Sequence, residues 1–285
     1  MAYLDLTPAL HDQLRTWLAE DLGRGDLTAP ALQGLSGRGH WLAKQDGVFC
    51  GGVLVEPLFR MLDPDLRVHL LVADGAPVHS GQRLLELEGS AAALVAGERT
   101  ALNLAMRLSG IATATAALVA QLAGTGVALA DTRKTTPGLR VLEKYAVRCG
   151  GGINHRLGLD DAAMLKENHL AWAGGVGPAI AAIRAASPWP ARVIVEAETA
   201  PEALAAVAAG ADGVLLDEFS PEALLQLVPQ LRQEAARLAR SLVLEASGVQ
   251  PEQLAAYAAT GIDLISTSAP ITRSAWLDLS MRFDA

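Results

Sequence analysis

Apolar residues recur along this chain at two different spacings, and the change beyond Leu122 divides it into two textures. Near the start, Leu10, Leu14, Trp17 and Leu18 form a helical stripe behind Thr7-Pro8, a hydroxyl N-cap followed by a proline whose fixed φ suits a first turn. The stripe predicts a helix ending near Glu20. Glycines at 23, 25, 34, 37 and 39 then break the chain into turns, ahead of strand-like runs at 41–44 and 67–72. A small α+β module is expected to about Ser90. From 91 to 122 the pattern is a long helical stretch, with an interruption expected at Ser109-Gly110.

Beyond it, short β runs at 127–130, 162–165, 192–195, 213–216, 242–244 and 262–265 alternate with helical patterns at 138–147, 176–186, 201–209, 221–238 and 251–259. Strand and helix alternating at this spacing predict parallel β structure with right-handed crossovers. Three of the helices open on Pro-Glu (Pro201-Glu202, Pro221-Glu222, Pro251-Glu252), which combines a preset first-turn φ with a charge that suits the helix dipole. Six such units fall short of the usual eight in about 250 residues, so an incomplete β/α barrel is expected, with a doubly wound open sheet as the alternative. The barrel is preferred because polar residues follow successive strands: Asp131-Thr-Arg133-Lys134, Lys166, Glu196-Ala-Glu198, Asp217-Glu218, Glu245-Ala-Ser247-Gly248 and Ser266-Thr267-Ser268. Barrel enzymes assemble their sites at that end of the strands.

Charge sharpens the picture. The 285 residues carry a formal charge of -8, which excludes a general nucleic-acid or anionic-membrane binder. Yet Arg133, Lys134, Arg140, Lys144, Arg148 and Arg156 lie between Thr132 and Leu159 against the one acid Glu143. Arg140, Lys144 and Arg148 recur at four-residue spacing and are expected on a solvated helix face. Arg133 and Lys134 end a strand, and Gly150-Gly151-Gly152 presents His155 and Arg156 on a flexible loop, so these with Lys166 are candidates for a carboxylate or phosphate clamp. Glu196 and Glu198 share a strand face with Ile194, and Asp217 ends the next strand; such acids suit Mg²⁺ held through phosphates or a cationic transition state. Ser247-Gly248 and Thr267-Ser268, at the last two strand ends, suit a phosphate. Cys50 and Cys149 lack metal-ligand spacing and are expected as reduced, buried thiols of a cytoplasmic protein. No basic start precedes an apolar run at the N-terminus, so no leader is expected. The uncharged stretch 111–130 is divided by Gly124-Thr-Gly126 and is expected as helix plus strand, not a membrane span.

Glu98-Arg-Thr-Ala-Leu-Asn103, Asp131-Thr-Arg-Lys-Thr-Thr-Pro-Gly138, Glu143-Lys-Tyr-Ala-Val-Arg-Cys-Gly-Gly-Gly152, Asn154-His-Arg156 and Leu165-Lys-Glu-Asn-His169 resemble the quinolinate phosphoribosyltransferases. The resemblance runs nearly end to end. It implies an α/β chain with an N-terminal α/β sandwich (1–110, joined by 272–285) and a seven-stranded incomplete β/α barrel (111–271). It also implies phosphoribosyl transfer from phosphoribosyl pyrophosphate to quinolinate, with decarboxylation to nicotinate mononucleotide in NAD synthesis. By motif match, Arg133, Lys134, His155, Arg156 and Lys166 bind quinolinate carboxylates and donor phosphates, and Arg99 reaches in from the second subunit of a homodimer. Glu196 and Asp217 face the ribose and a Mg²⁺ carried on the donor, and Ser247, Gly248, Thr267 and Ser268 hold the 5′-phosphate. Lys134, Lys166, Glu196 and Asp217 are the expected catalytic set. The chain departs from its relatives at Glu218, where many have Asn, at Val249, and across Ser268-Ala-Pro-Ile-Thr272. Three rivals fare worse: a Schiff-base lyase on Lys134 or Lys166 needs fewer arginines. A non-catalytic anion-binding relative would not need both basic motifs. A type I phosphoribosyltransferase would continue Val214-Leu-Leu-Asp-Glu218 with Thr-Gly.

Overall fold

The computed structural model describes residues 2–284 and divides into two compact units. The first runs through Ala116 and adds Val141–Gly151 and the chain from Arg273. Helix α1 (Pro8–Leu22) starts where the Thr7 hydroxyl accepts the Leu10 N–H, and it stops at Gly23, whose φ of 52° leaves the helical region. It buries Leu10, Leu14 and Leu18. There follow β1 (Ser36–Ala43), β2 (Gly47–Val48), α2 (Val55–Arg60), β3 (Arg67–Leu70), β4 (Pro77–Val78) and β5 (Arg83–Ser90). An antiparallel sheet places the C-terminal strand Leu279–Asp284 beside β1, then β5, then β3, with Trp41 opposite both Met281 and Leu85. Trp41, Phe49, Phe59, Leu84 and Leu94 pack into its core, each large side chain contributing about 1.5–3 kcal/mol by leaving water.

Helix α3 (Ala91–Gln121) runs through Ser109-Gly110 without the expected interruption. Gly110 instead permits close approach, because a Cβ there would lie 2.1 Å from the Ala275 carbonyl oxygen. The Ser109 hydroxyl accepts the Cys50 N–H and donates to the Cys50 carbonyl, so its hydrogen bonds leave the helix sideways. Long and apolar enough to span a bilayer, α3 nevertheless buries Leu94, Leu102, Leu108 and Ile111.

The second unit comprises Ala117–Arg140 and Gly152–Thr272. Its strands are β6 (Ala128–Ala130), β7 (Ala162–Leu165), β8 (Arg192–Ala197), β9 (Gly213–Asp217), β10 (Val243–Ser247) and β11 (Leu264–Ser266). Between them lie α4 (Arg140–Cys149), α5 (Glu167–Ala173), α6 (Val176–Ala186), α7 (Ala200–Ala209), α8 (Pro221–Arg237) and α9 (Leu254–Ala258). All ladders of this sheet are parallel, in the order β6-β11-β10-β9-β8-β7, and Ile153 bridges Ala130 in parallel beyond β6 as a seventh segment. Among the described residues β7 pairs only with β8, which leaves the barrel incomplete. Strand alternation sends Val193, Val195, Ala197, Val214, Leu216, Leu244 and Ala246 into one core with the helices. The intervening positions, among them Ile194, Glu196, Leu215 and Glu245, turn to the inner face. The Thr199 and Ser220 hydroxyls cap α7 and α8, accepting the Glu202 and Ala223 N–H groups. Helix α5 carries no sequence signal long enough to predict; the Lys166 N–H is received by His169 Nδ1 as it begins.

Val141–Gly151 clusters with the first unit, although the sequence assigns it to the barrel range 111–271. Its helix also departs from the solvated face expected of Arg140, Lys144 and Arg148. Lys144 is 1% exposed, and Arg140 donates to the Thr135 hydroxyl and the Leu157 carbonyl; of the three only Arg148 is exposed. Four-residue spacing fixes neighbourhood on a helix but not which side faces water.

Candidate active site

The polar residues that follow the strands gather in the second unit. Arg133 and Lys134 leave β6 in a turn closed by the Thr132 hydroxyl, which accepts the Lys134 N–H at 3.0 Å, and both side chains are exposed. Arg156 is half-buried, with one guanidinium nitrogen 3.1 Å from the Ala162 carbonyl. Burial, and then the like charge of Arg133, lower its pKa against the pull of Asp161. Two guanidinium groups are thus held near one another, an arrangement a dianion would relieve.

The loop ahead of Arg156 hangs from two buried acids. Asp131, 2% exposed at the end of β6, accepts the His155 N–H at 2.8 Å and the Asn154 side-chain amide at 2.7 Å. Glu245, 3% exposed in β10, places Oε2 3.1 Å from His155 Nε2. His155 Nδ1 accepts the Arg156 N–H at 2.7 Å. Both ring nitrogens therefore have protein partners, where the sequence leads one to expect an imidazole offered to substrate. The inward turn of Glu245, two residues before its strand ends and flanked by core Leu244 and Ala246, is the signal that could have marked it.

The acids form a second cluster. Glu196, Glu198 and Asp217 bring carboxylate oxygens within 4.8 Å of one another, as their positions at the ends of β8 and β9 allow. Lys166 bonds Glu196 through its Nζ, so a cation from the end of β7 already reaches this cluster. A cavity of ≈ 620 Å³ opens here, walled by Glu167, Leu170, Glu196, Glu198 and Glu202; another of ≈ 350 Å³ lies against Asn154, His155, Arg156 and Glu245. Hard oxygen donors of this kind fit Mg²⁺ better than a softer metal.

Ser247 and Gly248 end β10, and Thr267 and Ser268 follow β11, where the Thr267 hydroxyl accepts the Ala269 N–H and the Ser268 carbonyl accepts from Ile271 and Thr272. Gly248 has a φ of 76°, and a Cβ on it would come within 3.3 Å of the Glu218 side chain. Glu218 itself has a φ of 56°, the left-handed region in which Asn is at ease and Glu is strained. Arg99 is exposed on α3 in the first unit. In that unit Cys50 and Cys149 are free and buried, and they lie close enough for each to shift the other's thiol pKa, Cys50 being raised chiefly by burial.

Residues 26–109 match the N-terminal domain of the family described as quinolinate phosphoribosyl transferase, and residues 111–282 its C-terminal domain. A probable carboxylating nicotinate-nucleotide pyrophosphorylase of Synechocystis sp. is 46% identical over 94% of this chain and 90% of its own. A probable carboxylating enzyme of the same name from Bacillus subtilis is 41% identical over 94% and 91%. The solved nicotinate-nucleotide pyrophosphorylase of Francisella tularensis superposes with a TM-score of 0.90 at 35% identity, covering 98% of each chain.

Proposed function

Because the chain belongs to the quinolinate phosphoribosyltransferase family, it transfers the phosphoribosyl group of phosphoribosyl pyrophosphate to quinolinate with loss of carbon dioxide, and we propose that Arg133 and Arg156 receive the quinolinate carboxylates. The products are nicotinate mononucleotide and pyrophosphate, in NAD synthesis. The observation that carries the residue reading is the placement of half-buried Arg156, its guanidinium anchored on the Ala162 carbonyl, in one unit with the exposed Arg133 that leaves β6; burial and then the like charge of Arg133 lower the Arg156 pKa. A bound dianion compensates both guanidinium groups, each charge-assisted hydrogen bond contributing about 1.5–3 kcal/mol.

Lys134 and Lys166 extend this cationic set toward the donor phosphates, and Lys166 links it to Glu196. Glu196 and Asp217 face the ribose, where their charge stabilises the oxocarbenium-like state as the bond to pyrophosphate breaks. Glu196, Glu198 and Asp217 would hold Mg²⁺, which when bound would supply positive charge for the pyrophosphate group. Ser247, Gly248, Thr267 and Ser268 take the 5′-phosphate. Loss of carbon dioxide leaves its electron pair on the ring carbon beside a cationic ring nitrogen, so the substrate supplies its own electron sink. The chain works as a cytoplasmic homodimer in which the partner subunit's Arg99 completes the cationic set. A Schiff-base role for Lys166 is disfavoured, since an ammonium held on a carboxylate is a poor nucleophile.

Purified protein mixed with quinolinate, phosphoribosyl pyrophosphate and Mg²⁺ should release carbon dioxide and nicotinate mononucleotide in equal amounts, and chelation of the metal should stop both. Turnover undiminished by chelation overturns the metal assignment. Turnover unaffected by Arg156→Ala overturns the carboxylate assignment.

A further inference from the structure

The geometry points to Glu245 as a positioning residue that presents Arg156 to substrate by fixing the tautomer of His155. The inference rests on the reading of Arg156 as a carboxylate ligand. Glu245 sits within β10, where a carboxylate is expensive to bury unless it is compensated. The compensation is one-sided: Oε2 meets His155, whereas Oε1 is buried with no hydrogen-bond partner. A neutral amide carbonyl could accept the same N–H, though a carboxylate makes the bond stronger, by roughly a factor of two.

The hydrogen-bond directions then assign the ring. An ionised carboxylate only accepts, so His155 Nε2 carries the proton. The Arg156 N–H points at Nδ1 from 2.7 Å, so Nδ1 keeps its lone pair. The imidazole is neutral, with Nε2–H, because protonation at Nδ1 would set two donors against each other. His155 thus contributes no cation to the site and acts inward, clamping the first amide of Arg156 while Asp131 holds the His155 N–H and the Asn154 side chain. The guanidinium of Arg156, anchored at one nitrogen to Ala162, is the group this loop delivers.

Nitrogen NMR of the intact enzyme with ¹⁵N-labelled histidine tests the tautomer without any substitution: His155 should show an unprotonated Nδ1 and a protonated Nε2, and a protonated Nδ1 overturns the proposal. Glu245→Leu removes the acceptor and should raise KM for quinolinate at least about tenfold while KM for phosphoribosyl pyrophosphate stays within about twofold, with loss of the Nδ1 signature. Glu245→Gln keeps an oxygen for Nε2–H and should stay within about threefold of wild type for both substrates. Equal losses toward both substrates in Glu245→Leu, or a Gln variant as impaired as the Leu one, overturn it. If Glu245→Leu does not fold, the NMR assignment and Glu245→Gln still decide. Wild-type protein with the expected tautomer that binds no quinolinate refutes the reading of Arg156 and leaves the clamp standing.

Discussion

The basic island between Thr132 and Leu159 has two fates. On α4, Lys144 is buried and Glu143, fully buried beside it, receives the Arg107 guanidinium at 2.9 Å, with Ser274 on another of its nitrogens. In the second unit, Arg133 and Lys134 are exposed and half-buried Arg156 feels Arg133 as a like charge. The first set has its charges engaged inside the fold; the second holds charge in reserve. A cation that stabilises the fold is compensated before any ligand arrives, whereas one that binds an anion is compensated by the ligand.

Substitution should separate the two. Glu143→Ala strands Arg107 beside a buried gap and should lower unfolding free energy by about 3–5 kcal/mol in denaturant titration, with kcat/KM of the folded fraction within about twofold of wild type. Arg133→Ala or Lys166→Ala should do the reverse: at least about 1.4 kcal/mol of transition-state stabilisation lost, a tenfold fall in kcat/KM, with the denaturant midpoint nearly unchanged. A large stability loss from Arg133→Ala would erase the distinction. Smallest of all, exposed Arg148→Ala should leave both quantities within about 0.5 kcal/mol of wild type; equal effects from Arg133 and Arg148 would show the island to be undivided.

The alternation of strands and helices beyond Leu122, the Pro-Glu starts of α7 and α8 and the polar residues at successive strand ends were legible from the chain, because each depends on residues within one or two turns of one another; Pro251-Glu252 instead lies in a 3-10 turn ahead of α9. Strand β7 and helix α6 appear with the bounds their patterns predict. The continuity of α3 was not, since Gly110 breaks a helix by propensity but answers here to Ala275, distant in sequence. The sidedness of α4, the meeting of Cys50 with Cys149 and the clamp of His155 by Glu245, 90 residues later in the chain, likewise required the fold. Residue types and short motifs determined by themselves the family of this protein and the side chains that are candidates for its chemistry: cations suited to a dianion, and carboxylates suited to a sugar cation and a metal. Tertiary structure alone decided which cations are engaged inside the fold and which stay exposed or half-buried, because burial and the reach of an opposite charge depend on what the chain brings close in space.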